Sequence, residues 1–161
     1  MSRHKLRIKA MAAVYSYLVM ERDIDELITE AFDTPQGLIG ECADAKADDG
    51  YEFVDPDAYH GIEEDHPEIP DSEEDIEYFR NVVETACNNV ERYAGYIDNV
   101  MESWSFNRLG FLEKTVLLNG CAEFDLRQVQ AAVIIDEAVR LAKAYCEEKS
   151  YRIINKVLQI I

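Results

Sequence analysis

Between Arg3 and about Met20 the apolar residues occupy more than one helical face, with Ile8, Met11, Tyr15 and Leu18 on one and Leu6, Ala10, Ala13 and Val14 on another. A helix that is apolar around much of its circumference belongs inside a bundle, so the pattern predicts a central first helix. Asp23 followed by Glu26 is a capping-box signal that opens a short second helix ending near Phe32. The periodicity then stops. From Asp33 to Pro70 the chain carries Gly37, Gly40, Gly50, Gly61 and all four prolines among dense acid, which predicts a long acidic loop or partly disordered insertion over 33–70.

A second capping signal, Ser72 with Asp75, restarts the pattern. Ile76, Phe79, Val82, Val83, Ala86, Cys87 and Val90 follow at helical spacing, and Tyr93, Ile97, Val100 and Met101 less regularly. This is one long helix, or two with a break near Gly95. Residues 109–124, 128–146 and 150–160 complete the set, and no run with the two-residue period of a strand competes with them. The expected fold is all-α, about seven helices in an antiparallel bundle, forming a single domain over 1–161 with the acidic loop inserted.

The net charge of −17 changes meaning once it is located. Residues 33–77 contribute −16, residues 1–32 sum to zero and residues 78–161 sum to −1. The acidity therefore describes one segment, and it does not exclude nucleic acid from the helices. That segment reads as a solvated, self-repelling tether, or as an RNA mimic that folds over a basic surface and autoinhibits it. Its acids do not make a calcium loop: with Gly50 at the sixth position of an EF-hand, the first would be Ala45, which has no side-chain oxygen.

No apolar run reaches the roughly 18 to 20 residues that span a bilayer, and the first residues lack a secretory pattern, so a cytoplasmic location without membrane contact is expected. Cys42, Cys87, Cys121 and Cys146 have no CxxC spacing, and three fall within predicted helices, where a reduced thiol acts as small apolar filler. His4, His60 and His66 form no zinc-binding pair, and neither a metal nor a cofactor is expected. With no phosphate loop, no GxSxG and no Cys/His signature, the chain does not read as an enzyme.

Arg3, His4, Lys5, Arg7 and Lys9 crowd the first turns of the first helix. There the macrodipole is already positive, and Arg3/Arg7 and Lys5/Lys9 repel at i, i+4. A local rule broken without evident compensation points to function, here phosphate contact through forked arginine donors. A frayed, solvated basic start is the other reading, and both stay open.

Residues 4–16, HKLRIKAMAAVYS, together with YFRNVVE at 78–84, LEKTVLLNGCAEF at 112–124 and IIDEAVRLAKAYCEEKSYRIINKVL at 134–158, resemble the NusB transcription antitermination family in order and spacing. The most specific piece is DEAVRLAK at 136–143, close to that family's Asn-Glu-Ala-Ile-x-Leu-Ala-Lys. The resemblance covers about residues 3–32 and 76–161. It implies an all-helical RNA-binding fold that takes boxA-like RNA together with the ribosomal small-subunit protein NusE, acting in the transcription elongation complex.

Carried over by position, Lys5 and Arg7 would contact RNA phosphate, His4 stands at a usually basic position, Tyr15 lies near the same surface, and Arg152 joins from the last helix. Glu113 would face the protein partner. Read from the residues alone, Tyr15 lies on the apolar face, Arg152 is an ordinary solvated arginine and Glu113 one half of a surface ion pair. The chain departs from the family at Ala12, Leu118, Ala122, Ala131 and Ala132. At Ile153-Ile154-Asn155-Lys156, where the family has Phe-Val-Asn-Gly, a lysine adds positive charge. The alternative function is a NusB-fold protein-interaction module without RNA binding, whose acidic loop binds a basic partner.

Overall fold

The structure is a computed structural model that describes residues 2–33 and 72–161. The acidic stretch from 34 to 71 lies outside the described residues, with Cys42, His60, His66 and the autoinhibition expectation. Among the described residues seven α-helices run in the order α1 (Arg3–Met20), α2 (Ile24–Asp33), α3 (Glu73–Asn88), α4 (Val90–Val100), α5 (Phe111–Leu126), α6 (Ala131–Tyr145) and α7 (Ser150–Ile160), with a 3-10 turn at Phe106–Arg108 before α5. The fold is all-α, as the periodicity predicts.

The helix starts follow their capping residues. Ser2 Oγ accepts the Lys5 N–H at 3.2 Å, Asp23 Oδ1 accepts the Asp25 N–H at 2.8 Å, and Ser72 Oγ accepts the Asp75 N–H at 3.3 Å. Each satisfies a donor that helix geometry leaves without an internal partner. α1 ends on Glu21 in the left-handed region at φ 53, and Arg127 closes α5 at the same φ.

One expectation is corrected. The long helix breaks at Asn89 and not near Gly95, which lies inside α4. Asn89 leaves helical geometry at φ −124 and ψ 23, and its Nδ2 donates to the Thr85 carbonyl at 2.8 Å. An asparagine side chain that engages nearby backbone offers the chain an alternative to the helix. At Gly95 the space a Cβ would occupy is open, so the glycine weakens helix propensity without bending the chain.

Two helices form the middle. α5 is buried without interruption from Thr115 to Glu123, and α1 from Leu6 to Val14. α1 packs on α2, α3 and α5, whereas α7 packs on α4, α5 and α6, so α5 is the neighbour both share. Where α5 meets α7, a Cβ on Gly120 would stand 3.1 Å from a Leu158 methyl, which is why the smallest residue occupies that position. One hydrophobic cluster draws on all seven helices. It includes the buried cysteines Cys87, Cys121 and Cys146, and burial pushes the thiols of the first two up to about 12, so these two are packing atoms at neutral pH. Among the described residues no helix is long and apolar enough to cross a membrane.

Candidate functional site

The basic start of α1 turns inward. Arg7 is only 6% exposed, and it grips Glu123 of α5 with Nε 3.0 Å from Oε2 and Nη2 3.0 Å from Oε1. Tyr78 of α3 donates its hydroxyl to the same carboxylate, and burial first, then the Glu123 charge, raise the phenol's pKa. Burial alone would pull the Arg7 guanidinium down, but its hydrogen bond to Glu123 and that residue's charge outweigh the loss and hold it above its ordinary value.

The neighbouring cations are engaged in the same way. His4 Nδ1 lies 3.0 Å from Glu137 Oε2, Arg7 Nη1 lies 3.9 Å from that oxygen, and Arg140 Nη1 lies 3.7 Å from Glu137 Oε1. The His4 hydrogen bond, aided by the charges of His4, Arg7 and Arg140, holds the Glu137 carboxyl below its ordinary value against its own desolvation. Lys9 Nζ donates to the Ala31 carbonyl at 3.0 Å, tying α1 to α2. Arg3 lies over the Tyr78 ring at 4.0 Å and 3.6 Å from Glu74 Oε1. Among the described residues Lys5 is the one member of the cluster whose side chain makes no ion pair or hydrogen bond.

The last helix does the opposite. α7 has no acidic residue along its length, and Lys149, Arg152 and Lys156 are all exposed. Arg152 Nε donates to the Tyr151 hydroxyl at 3.3 Å, and Lys143 of α6 brings its Nζ to 4.9 Å from the Tyr151 ring centre. Beside α7, Trp104 is 53% exposed between two grooves that share Ile153. Arg108, Glu113, Glu147 and Lys149 line one groove, and Glu102 and Lys156 the other. Glu113 Oε1 accepts the Ser150 hydroxyl at 2.8 Å. Its second oxygen folds against Gly110, where any Cβ would run into it.

The expected site residues therefore separate. His4 and Arg7 lie together in the interface between α1, α5 and α6, with Arg7's fork taken by Glu123. Lys5 is half-buried on α1, and Tyr15 packs half-buried against the core. Arg152 and Glu113 lie at the α7 end, where Ser150 links Glu113 to the helix carrying Arg152. Sequence reasoning passes over Trp104, Lys143, Lys149 and Tyr151. The available signals were a helix without a carboxylate and a single tryptophan four residues before Arg108.

Comparison with known proteins agrees with this architecture. The model of the NusB family matches residues 48–161. The transcription antitermination protein NusB of Finegoldia magna is 34% identical over 85 residues, 52% of this chain and 62% of that protein. Its counterpart in Fusobacterium nucleatum is 28% identical over 87 residues, 54% of this chain and 57% of that protein. The chain thus spans less than two thirds of the length of these curated relatives.

Among solved structures, NusB of T. maritima superposes with a TM-score of 0.68 at 20% identity, over 99% of this chain and 89% of that one. A structure of the antitermination factors NusB and NusE in complex with dsRNA superposes with a TM-score of 0.64 at 21% identity, over 99% and 96% of the two chains. At such identities the superpositions speak for the fold. Combined with a family model that matches well over half of the sequence, they establish that the chain belongs to the NusB family.

Proposed function

We propose that this protein is a NusB-type transcription antitermination factor, a cytoplasmic and non-catalytic module that binds boxA-like RNA together with NusE in the transcription elongation complex. The observation that carries the reading is the exposed, acid-free basic face of α7 beside the Trp104 groove, on a chain whose net charge is −17. Solvent-facing cations release counterions when they meet phosphate, which cations already paired with carboxylates cannot do to the same extent.

Arg152, Lys149 and Lys156 supply the phosphate contacts in this reading, with Lys5 and Tyr15 on α1 as a second contact region. His4 and Arg7 serve by position, because their bonds to Glu137 and Glu123 fix the start of α1 in place. The groove of Trp104, Leu109, Glu113 and Ile153 takes NusE, its apolar residues giving the contact area and Arg108, Glu113, Glu147 and Lys149, two charges of each sign, the polar contacts.

The test is fluorescence anisotropy of a labelled boxA RNA titrated with the full chain, with and without NusE, across a salt series. Binding that weakens with salt and tightens with NusE is expected. Binding of NusE without binding of RNA would replace this reading with the protein-interaction module.

A further inference from the structure

Where α6 hands over to α7, two cations from different helices converge on one ring. Lys143 stands in the last turn of α6, with its Nζ 4.9 Å from the centre of the Tyr151 ring. Arg152, in the first turn of α7, places its Cζ 5.8 Å from the same centre, and its Nε donates to the Tyr151 hydroxyl. Among the described residues neither cation forms a salt bridge with a carboxylate. Glu148 is the acid that acts on both Tyr151 and Arg152, and Glu147 lies in the same connection on the groove side.

The arrangement has the chemistry of an anion site. Tyr151 accepts from Arg152, which leaves its own O–H proton available to donate outward. The Arg152 hydrogen bond first, then the charges of Arg152 and Lys143, hold the phenol below its ordinary value, so that proton is a stronger donor than a free tyrosine's. A guanidinium, an ammonium and a phenol gathered on one ring offer the donors that the oxygens of a phosphodiester accept. The shared ring also holds each long side chain against it before any ligand arrives, which lowers the ordering cost of binding.

We propose that Lys143, Tyr151 and Arg152 form a phosphate clamp that takes a backbone phosphate of RNA. The clamp rests on the RNA-binding reading above and adds Lys143 and Tyr151 to it.

The test is a nuclear magnetic resonance titration of the 15N-labelled full chain with a single-stranded oligoribonucleotide, and separately with inorganic phosphate and with an oligoglutamate peptide. RNA moves the Tyr151 and Arg152 amide signals and the Arg152 Nε signal, inorganic phosphate moves them weakly, and the peptide moves them less than RNA does. In parallel anisotropy measurements, the K143A/R152A double variant lowers the slope of log affinity against log salt by about 1.4, equivalent to about 25-fold at 0.1 M salt. Tyr151→Phe keeps the ring and both cations, and costs a few-fold.

RNA binding with an unchanged slope in the double variant overturns the clamp and leaves the RNA reading standing. No RNA binding by the unaltered protein overturns the reading itself. A larger response to oligoglutamate than to RNA overturns the phosphate assignment in favour of an acidic protein partner.

Discussion

The first turns of α1 hold five basic residues, and the start of α7 is surrounded by four, Lys143, Lys149, Arg152 and Lys156. On α1 the carboxylates Glu123, Glu137 and Glu74 arrive from α5, α6 and α3, and all the cations but Lys5 become rivets between helices. On α7 the helix brings no carboxylate of its own, and its cations stay in solvent. The difference teaches that charge counted along a chain is not charge available to a partner. A cation taken out of water needs a paired anion at close range, and a pair so formed has little field left to offer outside.

The comparison breaks most readily at Arg7. Arg7→Met leaves Glu123 buried with a single remaining donor, Tyr78, and should destabilise the fold by about 3 to 5 kcal/mol, read by urea denaturation. If stability held while RNA affinity collapsed, the roles of the two regions would have to be exchanged. Lys156→Ala probes the other side. It should lower RNA affinity about fivefold at 0.1 M salt, the share of one phosphate contact, with no resolvable change in urea midpoint.

The mildest effect is in acid. Because Glu137 is held below its ordinary value of 4.5, its contribution is present above that value and is lost as pH falls through the lowered one. Glu137→Gln should therefore be less stable at neutral pH and lose less on acidification, with thermal melts from pH 7 to 3 as the measure. An unchanged acid limb would detach the His4–Glu137 contact from the riveting role.

Much of the fold was legible because it is local. The apolar faces of α1 and α7 and the caps at Ser72 and Asp23 lie within a few residues of what they control. The break at Asn89 was not legible, since Gly95 carries the stronger propensity signal while the bend comes from a single side chain bonded to Thr85. At the candidate site, the basic cluster was visible but its neutralisation was not. Glu123 is 116 residues from Arg7, and Glu137 is 133 residues from His4. No window along the sequence could show that the broken helix rule at Arg3–Lys9 is compensated by carboxylates from three other helices.

Phe32 at the end of α2 and Phe79 in α3 meet edge to face, with ring centres 5.0 Å apart, and the two helices pack on each other. The bundle therefore holds both ends of the connection between α2 and α3 by contacts of its own. The packing of α2 on α3 is thus a contact the two helices make for themselves, and it fixes their places in the bundle whatever the acid-rich sequence between them does.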